Sequence, residues 1–313
     1  METTPQVDSH KTRLLTSLDD VVLPETLPPL VLVAFTRPDL LQVVLESVRQ
    51  QSLLPPKLIA FIDGARKPED NQPIEQCIEL LENFTSIVPV EIIKREQNLG
   101  CDQNIILGLT EVLSSHASLV YIEDDIHLNS CFYDRMCRLL DVYRDCKEVS
   151  SISSYSCPPP GFEGANNADF FVSNRIFSWG FAIWADRWNS SLLNDCMNQK
   201  NPFGEFYDIP TNAQTVMTLI NQFWLEKNKK TDWVIAFTLA ALYQKKVHIV
   251  PNFSFIRNIG FGHPEAKTYW GKEQDWVNAR YDKDFCPNKL PTSLDRPEAI
   301  ARPLSGTELL QHL

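Results

Sequence analysis

Apolar residues run without interruption at several points in the first third of the chain, and each run ends on polar or charged residues. Leu30-Val31-Leu32-Val33-Ala34-Phe35 leads into Thr36-Arg37-Pro38-Asp39, Leu58-Ile59-Ala60-Phe61-Ile62 stops at Asp63-Gly64, and Val120-Tyr121-Ile122 runs into Glu123-Asp124-Asp125. Unbroken runs of this kind are the pattern of strands covered on both faces. Val90-Glu91-Ile92-Ile93 reads as a further strand. Between these runs the apolar period lengthens to that of a helix. Pro38 suits a first helical position, and Leu41, Val44, Leu45 and Val48 form one face behind it. A second helix is expected over 73–82. A third opens at Asn98-Leu99-Gly100-Cys101-Asp102-Gln103-Asn104, with Ile105, Ile106, Leu109 and Leu113 as its apolar residues. Strand and helix alternate four times, which predicts an α/β fold with a mostly parallel central sheet and helices on both faces.

The pattern then loosens. A helix is expected over 130–144, and a strand at Val149-Ser150-Ser151-Ile152. A loop rich in Pro, Gly and Asn, residues 157–167, reads as an active-site lid. Beyond it lie an aromatic stretch, Phe177-Ser178-Trp179-Gly180-Phe181-Ala182-Ile183-Trp184, helices around 207–227 and 232–245, and a strand at Val247-His248-Ile249-Val250. The chain divides into an arm (1–28), a regular α/β half (29–150), a less regular half (151–285) and a tail (286–313). The arm is polar, ends in a Pro-rich stretch and reads as flexible, with apolar residues able to strap onto the body.

Composition narrows the function classes. With 313 residues, 43% hydrophobic and 22% charged, the chain can bury a sizeable core. A net charge of −11 and a pI near 5.1 argue against a broad basic footprint for nucleic acid or anionic lipid. No apolar run reaches the roughly 18–20 residues that span a bilayer, and the first residues lack a signal-peptide core. The eight cysteines contain no C-x-x-C pair and read as reduced thiols of a cytoplasmic protein, with peripheral membrane contact left open.

Glu123-Asp124-Asp125 is the candidate chemistry. Three neighbouring carboxylates repel, and burying one without a partner costs several kcal/mol. A divalent cation resolves both problems: Mg²⁺ or Mn²⁺ takes hard oxygen ligands, commonly one or two carboxylates plus substrate phosphates. The other reading is a solvated acidic loop. Asp63, Arg37 and Asp125 all fall at strand ends, where open α/β sheets bind ligands.

The order of these elements resembles the GT-A glycosyltransferases, in which an acidic "DXD" element follows the fourth strand. The segments Leu32–Pro38, Phe61–Gly64, Asn98-x-Gly100 and Ile122–Asp125 follow the family's order. In detail they look like bacterial family-two sugar transferases and the inverting N-acetylglucosaminyltransferase of N-glycan branching. Downstream, Ser178–Trp184 resembles the acceptor-side segment, Thr231-Asp232-Trp233 the helix start that carries the catalytic base, and Asn258–His263 the closing loop. Thr231 departs from the family, which carries an aromatic there.

The resemblance implies that Asp125 ligates Mn²⁺ or Mg²⁺, that Asp124 contacts the ribose or a metal-bound water, and that Glu123 contacts the donor sugar. It implies that Asp63 accepts from the uracil N–H, that Arg37 approaches the diphosphate, and that Asn98, Gly100 and Asn104 order the loop beside base or ribose. Asp232 would be the general base, Trp179 a sugar platform and His263 a closing residue. Each has a plainer reading: an Asp-Gly turn for Asp63, a solvated helix start for Arg37, ordinary caps for Asn98 and Asn104. Asp232 can be a helix N-cap, and His263 neither closer nor ligand. Trp184 is expected in the core, and His127 in a loop.

The implied activity is transfer of a sugar, by inversion, from a nucleoside-diphosphate donor (a UDP-sugar by default) to a glycan or other hydroxyl acceptor, lipid- or protein-linked, as in polysaccharide biosynthesis. Two other classes stay open. One is a non-catalytic module of the same fold; the other is a nucleotidyltransferase, against which the absence of a Gly-rich loop after the first strand speaks.

Overall fold

The computed structural model describes residues 17–156, 168–198, 219, 232–266, 271–275 and 277–291. The loop expected at 157–167, the helix expected around 207–227, Thr231 and most of the terminal segments lie outside the described residues.

Eight strands form one sheet: β1 (Leu30–Ala34), β2 (Leu58–Ile62), β3 (Val90–Lys94), β4 (Ser118–Glu123), β6 (Val149–Ser153), β7 (Phe170–Ser173), β8 (Phe181–Trp184) and β9 (Val247–Pro251). Their spatial order is β3-β2-β1-β4-β8-β6-β9-β7. β3, β2, β1 and β4 run parallel, as do β6 and β9; β8 is antiparallel to both its neighbours, and β7 to β9. The sheet is therefore large and mostly parallel, and strands from both halves of the chain share it. A two-stranded ribbon pairs β5 (Ile126–Leu128) with β10 (Ile256–Asn258), antiparallel.

Alternation along each strand explains why the runs are apolar throughout. Leu30, Leu32, Ala34, Ala60, Ile62, Val120 and Ile122 point to one face and pack with α1 (Pro38–Arg49), α2 (Asn71–Phe84) and α4 (Phe132–Val142). Val31, Val33, Ile59, Phe61, Leu119 and Tyr121 point to the other, under α3 (Cys101–Leu113), α5 (Ser190–Asn198) and α6 (Trp233–Tyr243). Each face loses its apolar surface to helices, at about 25 cal/mol per Å² buried. α6 is apolar nearly all round and sits in the second core, with Trp233 set among Tyr121, Phe181 and Phe237. No helix among the described residues is long and apolar enough to cross a membrane.

Several expectations need correction. Between the acidic residues and α4 lies β5, which carries His127 opposite Arg257, so this histidine is in a strand and not in a loop. The aromatic stretch contains β8, inserted antiparallel between β4 and β6, where Phe181 and Ile183 face one core and Ala182 and Trp184 the other. Trp184 lies in the core as expected, its indole N–H donating to the Leu140 carbonyl. The end of the N-terminal arm is not loose. Leu18 and Val21 are buried, and the Leu18 amide donates to the Asn288 carbonyl at 2.8 Å.

Candidate active site

A pocket of about 670 Å³ opens where β1, β2 and β4 end. Ten of the eleven residues singled out in the sequence line it: Arg37, Asp63, Asn98, Gly100, Asn104, Glu123, Asp124, Asp125, Trp179 and Asp232. They come from six separate stretches, four of which follow parallel strands that finish on one edge.

The acidic trio is held by an arginine. Arg37 precedes Pro38 at the start of α1, and its guanidinium spans the two aspartates. Nε donates to Asp124 Oδ2 at 3.3 Å, Nη2 to Asp124 Oδ1, and Nη1 to Asp125 Oδ2 at 2.9 Å. Burial works against the Arg37 charge, but Asp124 and Asp125 more than offset it and hold the guanidinium charged. Arg37 thus supplies much of the countercharge that the sequence alone assigned to a cation. Burial, then Asp125 and Asp124, push Glu123 up to about 8, with Arg37 acting in the opposite direction. Burial likewise raises Asp124 despite Arg37.

One oxygen escapes this arrangement. Asp125 Oδ1 is buried and has no hydrogen-bond partner. Buried carboxylate oxygens without partners are costly, so this atom is available to a ligand. Thr36 Oγ1 and Asn104 Nδ2, on two further lining residues, are also buried and unpartnered. No group of three or more His, Cys, Asp or Glu side chains is arranged around a common point among the described residues. The donor set therefore fits a cation taking one protein oxygen, Asp125 Oδ1, with its remaining ligands from phosphate and water, as Mg²⁺ and Mn²⁺ accept.

The ribbon fixes Asp125 from the other side. The Ile259 amide donates to the Asp125 carbonyl at 2.9 Å, and the Gly260 amide to Asn258 Oδ1 at 2.8 Å. Gly260 lies flat against the carboxylate: a Cβ there would stand 2.5 Å from Asp125 Oδ2. Only glycine allows that approach.

Asp63 has a structural task. Its Oδ1 accepts from the amides of Gly64 (2.9 Å) and Leu99 (2.8 Å), and its Oδ2 from the Gly100 amide (2.9 Å) and Asn98 Nδ2 (3.0 Å). Asn98 Nδ2 also donates to the Gly64 carbonyl at 2.8 Å. These bonds close the loop before α3 onto the end of β2. Gly64 is required there, since a Cβ would fall 2.3 Å from the Gln97 carbonyl carbon. Asn104 is held by Arg95, whose Nε donates to Asn104 Oδ1 at 3.1 Å.

On the opposite wall Asp232 caps α6, its carboxylate accepting from the Ile235 amide at 2.7 Å. Capping fixes this carboxylate at the pocket wall. Trp179 is half-buried and held edge-on by Tyr155 (4.6 Å) and Phe261 (5.9 Å). His263 does not line the pocket. Its Nδ1 accepts from the Glu265 amide at 3.1 Å, which leaves Nε2–H to face Asp39 Oδ1 at 3.3 Å.

Sequence reading missed Arg66 and Glu265. Arg66 stacks over Phe35 at 4.7 Å and bonds both Asp70 and, at 2.6 Å, Glu265, tying the segment after β10 to the loop after β2 across the pocket mouth. No local pattern marks a pair 199 residues apart.

No family model and no curated protein matches the chain. Among solved structures it is similar to TarS of S. aureus, at 11% identity and a TM-score of 0.44 over 74% of this chain and 36% of that one. It is similar to residues 1–349 of TarS in complex with UDP-GlcNAc, at 10% identity and a TM-score of 0.43, over 74% of this chain and 58% of the other. The mannosyltransferase PcManGT of Pyrobaculum calidifontis, in complex with GDP-Man and Mn²⁺, is similar at 12% identity and a TM-score of 0.37, over 53% of this chain and 47% of that one. In each case this chain spans less than two thirds of the chain it matches.

Proposed function

We propose that this chain is a metal-dependent glycosyltransferase that moves a sugar from a nucleoside diphosphate, a UDP-sugar by preference, to a hydroxyl of a glycan, with inversion. The observation that carries this reading is the buried, unpartnered Asp125 Oδ1 in a pocket that also holds Asp232. The volume of about 670 Å³ suits a nucleotide-sugar. Bound there, Mn²⁺ or Mg²⁺ would offset the charge that grows on the departing diphosphate.

The chain's own residues do the remaining work in this reading. Arg37 keeps Asp124 and Asp125 side by side, so that Asp125 presents its open oxygen without rearrangement. Thr36 Oγ1 and Asn104 Nδ2 offer an acceptor or donor and a donor to the polar part of the donor substrate. The loop held by Asp63 and Asn98 forms the wall for base and ribose. Trp179, fixed by Tyr155 and Phe261, offers an apolar ring to a pyranose. Asp232, immobilised by its capping bond, takes the proton of the acceptor hydroxyl while the sugar passes through an oxocarbenium-like state.

Thermal-shift measurements with UDP, GDP, dTDP and CDP, with and without Mn²⁺, test the donor half of the proposal. Ligands that bind only the folded chain raise its stability by mass action. A shift with one nucleotide, dependent on metal and abolished by Asp125→Ala, is expected. Asp232→Asn should keep that shift while transfer falls by about 10²–10⁴-fold. Absence of any shift from a folded protein removes the donor site from the proposal. Undiminished transfer by Asp232→Asn removes the base.

A further inference from the structure

Away from the pocket, the C-terminal segment lies across the start of α4. Asn129 Nδ2 donates to the carbonyls of Asp282 (2.8 Å) and Phe285 (3.2 Å), and the Tyr281 hydroxyl donates to Asn129 Oδ1 at 3.0 Å. Asp19, from the N-terminal strap, accepts from Arg135 Nη1 at 2.8 Å and from Asn288 Nδ2 at 2.9 Å. Arg135 therefore sits where the strap, α4 and the C-terminal segment meet.

Two cysteines occupy this junction. Cys286 is exposed, and Arg135 Nε donates to its sulfur at 3.1 Å. Cys131, buried at the N-terminal end of α4, donates its thiol to the Phe285 carbonyl at 3.9 Å, which sets it beside Cys286, the next residue and its electrostatic partner. The hydrogen bond from Cys131, and then Arg135, draw Cys286 down to about 6 against the effects of burial and of Asp134. Cys131 is raised by the same contact and stays a thiol. The other thiols with a resolved shift lie the opposite way: burial pushes Cys77 and Cys137 up to about 12 and Cys196 to about 11, and raises Cys146. Exposure, a guanidinium and a neighbouring thiol are the setting of a reactive cysteine with a resolving partner.

We propose that Cys286 and Cys131 are a peroxide-responsive pair, with Cys286 attacking and Cys131 resolving, whose disulfide locks the 281–290 segment, and with it the N-terminal strap, onto α4. The Cys286 thiolate attacks one oxygen of a hydroperoxide; an S–O bond forms, the O–O bond breaks, and hydroxide or alkoxide leaves. The Cys131 sulfur then attacks the Cys286 sulfenic acid. The S–S bond forms, the S–O bond breaks, and water departs with the Cys131 proton. Two thiols are oxidised and one hydroperoxide is reduced. Asp134 and Asp19 flank Arg135, so its charge is shared, but the guanidinium remains the cation in contact with the sulfur.

The test uses the wild-type chain and needs no variant at first. Iodoacetamide labelling of Cys286, followed by peptide mass spectrometry, should rise with a midpoint near pH 6, whereas the unfolded chain should show a midpoint of about 8.5. Substoichiometric hydrogen peroxide should give a linked Cys131–Cys286 peptide. In Cys131→Ser the Cys286 sulfenic acid should persist and be captured by dimedone. Arg135→Gln should move the labelling midpoint upward, while the rate at pH 7 should fall by no more than about threefold, because the lost thiolate is largely offset by higher nucleophilicity. A midpoint at the unfolded value, or oxidation that pairs Cys286 with any sulfur other than Cys131, overturns the proposal.

Discussion

Replacing Asp63 is the sharpest test of how this site is built. Its carboxylate, only 4% exposed, accepts four hydrogen bonds, three from backbone amides and one from Asn98. Hydrogen bonds to a charged acceptor are worth about 1.5–3 kcal/mol each, and a buried donor left unsatisfied costs about 1–3 kcal/mol. Four such terms are not additive, because the loop can relax and admit water. The expected loss for Asp63→Ala is therefore about 3–5 kcal/mol, near the upper end for single substitutions. Asp63→Asn should do almost as badly: either orientation of the amide sets an NH₂ group against two donors. Urea unfolding at pH 7 measures the global loss, and hydrogen exchange at the Leu99 and Gly100 amides measures local release. Asn98→Ala serves as a comparator, since it loosens the same loop but leaves the carboxylate in place. If nucleotide affinity falls equally in the two variants, Asp63 acts through the loop; a larger loss for Asp63 adds a direct contact with the base. A loss below about 1 kcal/mol for Asp63→Asn, with unchanged protection of both amides, would refute the network's importance.

Gly260→Ala sets a methyl 2.5 Å from Asp125 Oδ2. We expect the fold to survive at a cost of about 1–3 kcal/mol from overpacking, with loss of the metal-dependent nucleotide shift in the same thermal assay; an unchanged shift would show that the carboxylate yields freely. His248 predicts an acid-labile term. It is fully buried, its Nδ1 is 2.8 Å from Ser151 Oγ, and burial lowers it to about 3. A histidine whose folded value lies below its unfolded value of about 6.5 stabilises the fold fully above that value and loses the contribution as pH falls towards 3. The slope is about 1.4 kcal/mol per pH unit. His248→Asn, which keeps a partner for Ser151, should be less stable at pH 7 yet lose less on acidification to pH 4.5. Parallel stability curves for the two proteins would contradict the buried neutral ring.

The α/β fold was legible because both faces of the sheet are covered. Where Leu30 to Ala34 or Leu58 to Ile62 must satisfy two cores, every position is apolar and the strand stands out from its surroundings. β8 obeys the same rule, but Phe181-Ala182-Ile183-Trp184 lies inside a longer aromatic stretch that masks its ends. β5 and β10 are three residues each and exist because they pair with one another across 128 residues of chain, from Leu128 to Ile256. No local period announces them.

The site divides along the same line. Residues at the ends of apolar strands (Arg37, Asp63, Glu123, Asp124, Asp125) could be read from position alone, because a charged side chain directly after a buried strand must end at a sheet edge. Their partners could not. Three adjacent carboxylates demand positive charge; Arg37, which takes both oxygens of Asp124 and one of Asp125, meets part of that demand, and in the proposed function a cation at Asp125 Oδ1 meets the rest. Sequence reading assigned the charge to a cation and Arg37 to the diphosphate, since nothing in the residues near Arg37 shows that it reaches 87 and 88 positions along the chain. A cation bound at Asp125 would therefore enter a site where one compensating positive charge is already fixed. Arg37→Ala should then do more than weaken a contact with substrate: by releasing Asp124, it should raise the metal concentration required for the nucleotide shift. Arg37→Lys, with one point charge in place of a planar fork, should recover only part of that loss. Equal metal requirements in wild type and Arg37→Ala would mean that the arginine serves the diphosphate alone.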